Sequence, residues 1–273
     1  MNDDPTDFLK KLVSRAAAPY RPAGRYAWHF ARGKLGGDPA FGALLARGLL
    51  TGRDRIVDIG CGQGLLSAWL LAAGEAQRAG EWPAGWPAAP EPRQIHGIEL
   101  MPHDVRRAER ALAVAVGSGR ASFAAADMCH AEFGRADAVV ILDVLHYVPV
   151  AAQDQVLRRV RAALPPGGVL LLRIGDAAGG LPFRISNWVD FVVTTLRGHR
   201  LTRLYCRPLA EWQRVLRELG FDVQAQPMSA GTPFANVMLV ARAEGAPASV
   251  SNTTDAARPA PACAESEAAA LIR

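Results

Sequence analysis

The stretch Val57-Asp58-Ile59-Gly60-Cys61-Gly62-Gln63-Gly64 constrains this chain more than any other. Residues 55–59 read as a short buried strand and residues 65–73 as an apolar helix. The alternate glycines between them allow a turn whose backbone comes close to a ligand and aims amide N–H groups at it. In open α/β sheets ligands lie beyond the carboxyl ends of the strands, so Gly60, Gly62 and Gly64 form the first candidate binding element. A tight turn without a ligand has the same look. The dinucleotide fingerprint requires a third glycine where this chain has Leu65, and a phosphate-binding loop requires a Lys followed by Ser or Thr, which are absent. Both phosphate-based readings weaken, and an NAD-dependent dehydrogenase falls to third choice.

Downstream, strand and helix signals alternate. Strands are expected over 95–99, 121–126, 138–142 and 169–174. A helix over residues 105–115 shows Val105, Ala108, Leu112 and Ala115 on one face, and another over 153–164 stops at Pro165-Pro166-Gly167-Gly168. A first helix is expected from Asp38-Pro39 to about Leu50. Strands over 221–226 and 236–242 close one edge of the sheet as a hairpin. The pattern predicts an α/β fold: a Rossmann-like, doubly wound, mostly parallel seven-stranded sheet with an antiparallel edge strand. Three further parts stand out. Residues 1–37 form an N-terminal segment that brings Tyr26, Trp28, His29 and Phe30 together, as a lid or as packing on the sheet. Residues 74–94, with four prolines and Trp82 and Trp86, read as an inserted surface loop within a domain over 38–243. Residues 244–273 are rich in Ala, Ser, Pro and Thr without periodicity and are expected to be disordered. A helix pattern at Ile185, Trp188, Val192 and Leu196 exceeds what the alternation needs.

With 273 residues, half of them apolar, the chain can bury a large core. No apolar run approaches the roughly 18 residues of a membrane span, and residues 1–6 lack the basic and apolar parts of a secretory leader, so the expected compartment is the cytoplasm. The cysteines show no Cys-x-x-Cys spacing, which argues against a zinc ribbon or redox motif. The net charge of +5 reads as a solvated arginine-rich surface.

The glycine turn gains meaning from a ladder of acids at successive strand ends: Asp58, Glu99, Asp127 and Asp143. A carboxylate at the end of the second strand has two acceptor oxygens suited to the two hydroxyls of a ribose. Glu99 fits that role, and it also fits a plain helix cap ahead of Pro102. It lies 35 residues beyond Gly64, against roughly 20 in nucleotide folds, and the 74–94 insertion accounts for the excess.

On these residues the chain resembles the class I S-adenosylmethionine-dependent methyltransferases. The resemblance runs from about 54 to 242 and rests on five ordered motifs: 57–64, 97–99, 126–128, 142–147 and 164–168. It implies that Asp58, Gly60, Gly62 and Gly64 shape the pocket for the methionine part of S-adenosyl-L-methionine. It further implies that Glu99 binds the ribose, Leu100 flanks the adenine, Asp127 accepts from the exocyclic amine, and Met128 lies beside the ring. Leu142 and Asp143 would border the methyl-transfer position.

Methyl displacement at a sulfonium needs an acceptor held in line and water excluded, and no metal. For a hydroxyl acceptor, His146 is the best-placed base, with Asp143 beside it and His29 a weaker candidate; a structural role for His146 is the alternative. The Asn-Pro-Pro-aromatic and Pro-Cys motifs of nucleic-acid methyltransferases are missing, which argues against nucleic acid. A small or lipophilic metabolite, accepting through oxygen, is the expected substrate. Two other classes stay open: a cofactor-binding protein without catalysis, and a subunit serving a protein partner through the 74–94 loop.

Overall fold

In the computed structural model the described residues are 4–175, 204–228 and 236–245. The chain divides into two compact units, residues 1–141 and 142–273.

The first unit opens with helices. Asp4 caps α1 (Pro5–Ala17) by accepting from the Thr6 N–H at 3.0 Å, Pro5 supplies a preset first turn, and Phe8, Leu12 and Ala16 recur every four residues to make the buried stripe. A 3-10 turn (Ala18–Ala23) leads into α2 (Arg25–Gly37). Asp38 caps α3 (Pro39–Ala46) in the same way, accepting from the Ala40 N–H at 3.0 Å. This helix was expected to run to Leu50. It ends earlier because Gly48 turns the chain at φ +61°.

β1 (Arg55–Ile59) runs through the glycine turn into α4 (Leu65–Arg78), five residues longer than its apolar start suggests. Trp69 lies fully buried in α4 and donates its indole N–H to the Phe41 carbonyl at 2.9 Å. α4 therefore takes the first part of the expected 74–94 loop. What remains folds onto α1: Trp82 and Trp86 meet Phe8 edge-on at 5.4 and 5.7 Å and are half-buried, where the sequence suggested exposed rings. β2 (Gln94–Glu99) follows. The next helical stretch breaks at Leu112 into α5 (Pro102–Ala111) and α6 (Ala113–Gly117), then come β3 (Ala121–Ala125) and β4 (Ala138–Leu142). β1 pairs with β2 and β4, and β2 with β3, all parallel.

The second unit holds a 3-10 turn (Leu145–Tyr147), α7 (Val150–Ala163), β5 (Val169–Gly175), α8 (Leu209–Glu218), β6 (Phe221–Pro227) and β7 (Asn236–Ala243). β7 runs antiparallel to both β5 and β6. The strand order is β3-β2-β1-β4-β5-β7-β6 in one seven-stranded sheet, the expected Rossmann-like arrangement. The extra helix pattern at 185–196 and the tail from 246 lie outside the described residues. Among the described residues no helix is long and apolar enough to cross a membrane.

Candidate functional site

The chain turns as soon as β1 ends. Gly60, Gly62 and Gly64 hold φ of +75°, +54° and +78°, a region that residues with a Cβ seldom enter. The amides of Gly60 and Cys61 donate to the Ile98 carbonyl at 2.8 and 3.1 Å, which fastens the start of the turn to β2. Gly62 donates its N–H to Glu99 Oε2 at 2.9 Å, and Met101 donates to Glu99 Oε1 at 2.9 Å. The carboxylate at the end of β2 is thus aimed by two amides, and a carboxylate offers about four acceptor positions, more than two amides fill. A Cβ at Gly62 would meet nothing within 4 Å, whereas one at Gly64 would lie 3.0 Å from Phe123 and 3.1 Å from Ala108. The turn is open at its middle glycine and closed behind its last.

Asp58 is the most exceptional residue here. It is 4% exposed, and its carboxylate makes no hydrogen bond or ion pair with any described residue. Burial first, then the charge of Glu99, pushes its carboxyl up to about 7. A buried acid without a donor is costly, and an arriving cation or N–H would relieve that cost.

The end of β3 stands beside the end of β2. Ala126 donates its N–H to the Glu99 carbonyl at 2.9 Å, and Asp127 then accepts from the Cys129 N–H at 2.8 Å. Leu100, Asp127 and Met128 are half-buried. The structure therefore gathers Asp58, Gly60, Gly62, Gly64, Glu99, Leu100, Asp127 and Met128 at the carboxyl ends of three neighbouring strands. The set presents acceptors and apolar side chains. S-adenosylmethionine brings matching donors: an ammonium, two ribose hydroxyls and an exocyclic amine. Among the described residues no group of His, Cys, Asp and Glu side chains is arranged to hold a metal ion.

In the second unit Asp143, just past Leu142, adopts φ +59°, the one positive φ at a described residue other than glycine. Its carboxylate takes both the Nε of Arg173, at 2.9 Å, and the Nη2 of the same guanidinium. Arg173 is 2% exposed in β5. His146 sits in the following 3-10 turn with its ring 4.3 Å from that of Tyr147, and its carbonyl accepts from the Tyr205 N–H at 2.8 Å. Burial lowers its pKa and outweighs the opposite pull of Asp143, which keeps the imidazole neutral at pH 7.

Two partners of the site escaped the sequence reading. Arg173 had a signal, a lone charge inside the apolar run Val169 to Ile174. Tyr20 had none. It is fully buried and donates its phenol to the Gln63 carbonyl at 2.9 Å, and the Gln63 amide donates to the Ala27 carbonyl of α2 at 3.1 Å. The glycine turn is held by Glu99 on one side and by the N-terminal segment on the other. His29 lies exposed on α2, its ring 4.6 Å from Trp28.

The fold and the strand-end constellation define a Rossmann-like methyltransferase. A family model described as a methyltransferase domain matches residues 6–226, most of the chain, and so takes in the N-terminal helices. The chain belongs to the class I S-adenosylmethionine-dependent methyltransferase family. It is similar to the carboxy-S-adenosyl-L-methionine synthase of Chromohalobacter salexigens, at 29% identity over 140 residues, 49% of this chain and 47% of that protein. The chain therefore spans about half the length of that curated relative. Among solved structures, an O-methyltransferase family protein from Burkholderia thailandensis superposes with a TM-score of 0.57 at 18% identity, covering 83% of this chain and 63% of that one. Magnesium protoporphyrin IX methyltransferase from Synechocystis PCC 6803, solved with bound S-adenosylhomocysteine, gives 0.53 at 19% identity, covering 88% and 100%. At such identities these likenesses bear on the fold.

Proposed function

We propose that this protein transfers a methyl group from S-adenosylmethionine to an oxygen of a small or lipophilic metabolite. The observation that carries the reading is the buried Asp58 carboxylate with no donor among the described residues, placed beside a glycine turn whose middle amide donates to Glu99. Asp58 and the turn would hold the methionine end, with the carboxylate taking the ammonium. Glu99 would accept from the ribose hydroxyls, Asp127 from the adenine amine, and Leu100 and Met128 would cover the ring. When bound, the cofactor supplies a methyl group on a positively charged sulfur.

The chain's own contribution is to orient the acceptor and keep water out. His146, neutral through burial, would take the hydroxyl proton as the new carbon–oxygen bond forms. Asp143, fixed by Arg173, would border the reacting atoms as a rigid wall together with Leu142.

Glu99→Ala is expected to weaken S-adenosylmethionine binding at least tenfold in isothermal titration, because it removes the ribose acceptor and leaves the Gly62 amide without its partner. Unchanged affinity would remove Glu99 from the site. Release of S-adenosylhomocysteine in a screen of hydroxylated acceptors tests the reaction, and His146→Ala should lower kcat by roughly a hundredfold if the imidazole is the base. Cofactor binding with no turnover of any acceptor would leave a binding protein.

A further inference from the structure

We infer that the exposed face of α2 is where the acceptor is recognised, and that the acceptor is a flat molecule bearing a carboxylate; this rests on the proposed methyl transfer and names its substrate class. Charge is the first observation. Residues 18–37 hold Arg21, Arg25, Arg32 and Lys34 and no acid, so a segment of twenty residues carries four basic groups in a chain of net charge +5. Lys34 is used locally, 2.8 Å from Asp38. The three arginines are exposed, and none pairs with a carboxylate among the described residues. Some arginines elsewhere pair with acids, as Arg15 does with Glu81 and Arg207 with Asp154, and others such as Arg106 and Arg110 do not among the described residues; what sets this segment apart is that it contains no acid of its own.

Geometry is the second. Arg21 and Arg32 lie over the Trp28 ring, 5.3 and 5.1 Å from its centroid. Stacking uses the face of a guanidinium and leaves its N–H edge, the part that grips a carboxylate through two parallel bonds. The indole thereby holds two such edges at fixed positions, which a pair of flexible lysines could not do. Tyr26, one helical turn from Phe30 and stacked on it at 5.9 Å, carries a further guanidinium, that of Arg107, 5.0 Å from its centroid, and at 53% exposure still offers its ring edge to a flat ligand.

Placement is the third. The carbonyl of Ala27, between Tyr26 and Trp28, accepts from the Gln63 side chain of the glycine turn, and Tyr20 donates to the backbone of the same Gln63. The basic face thus belongs to a helix bonded directly to the candidate cofactor turn.

The test loads the full chain with S-adenosylhomocysteine and titrates it with 2-naphthoate and with 2-naphthamide. We expect the acid to bind at least tenfold more tightly than the amide, and R21Q/R25Q/R32Q to erase that difference while the dissociation constant for S-adenosylhomocysteine stays within twofold. R32Q alone, a milder change, should weaken naphthoate at least threefold. Equal affinity for the two probes, no binding of naphthoate, or a preference that survives the substitutions overturns the inference. Co-sedimentation with phosphatidylglycerol vesicles that the triple variant abolishes assigns the face to a lipid surface and also overturns it. Failure of the wild type to bind S-adenosylhomocysteine would instead sink the methyltransferase reading, and the naphthoate comparison would still decide the surface.

Discussion

Asp58 couples protonation to folding and to binding. Its carboxyl is raised from an ordinary 3.8 to about 7, so between these values the folded chain binds a proton that the unfolded chain releases. The sign follows directly. Asp58 costs least stability in acid, and its destabilising effect grows as pH rises toward 7. A cation arriving beside it favours the ionised form and expels the proton. The affinity for S-adenosylmethionine should therefore rise with pH by up to about tenfold per unit below 7, then level off. Titrations at pH 5.5, 6.5 and 7.5 would show this, and Asp58→Asn should bind weakly with the slope gone; a flat profile in the wild type would mean the acid is already ionised. The acid ladder was legible because carboxylates at strand ends recur with the strands. What no single residue could reveal was which acid lacks a donor, since that depends on neighbours far away in sequence. Asp143 shows the limit: its buried partner Arg173 lies thirty residues on.

At the scale of elements, the strands were legible and the N-terminal helices were not. β1, β4 and β5 are runs of buried residues bounded by turn residues, β5 along all but its last position, while the outer strands β3 and β6 are buried only in part. α1 has a cap and a first-turn proline, but its buried stripe of Phe8, Leu12, Ala16 and Ala17 is narrow, and its partners, α2, α4 and the rings of Trp82 and Trp86, lie further along the chain. β2 also carries a message that composition hid. A Cβ at Gly97 would fall 2.6 Å from Phe123 and 2.7 Å from the Cys61 sulfur, so the glycine is there for close approach. The bond from the 3-10 turn at Tyr20 to Gln63 belongs to this scale too. Tyr20→Phe removes a buried hydrogen bond and leaves a carbonyl unsatisfied, which should cost about 1–2 kcal/mol. Denaturant unfolding would measure the loss, and a rise in the dissociation constant of S-adenosylmethionine should accompany it.

For the whole molecule, alternating strand and helix signals sufficed for the sheet because right-handed crossovers leave few topologies open. The division into two units was not legible, because it falls inside a strand, between Ile141 and Leu142 of β4, with no linker to mark it. Binding to the native state raises stability by mass action, about 2.7 kcal/mol at a hundred times the dissociation constant. For a chain of this size that amounts to a rise in melting temperature of roughly 5–10 °C. S-adenosylhomocysteine should produce it in a thermal-shift assay and NADH should not.

The two bonds at Gln63 set a rule for anyone who would redesign this protein. Exchanging residues 5–37 for the corresponding part of another methyltransferase, in order to graft a new preference, also replaces half of the scaffold of the glycine turn. Such hybrids should work when the donor segment brings a phenol and a helix carbonyl to the same places, or when the loop is transplanted with it. Modules that look separable along the chain are here a single unit of inheritance.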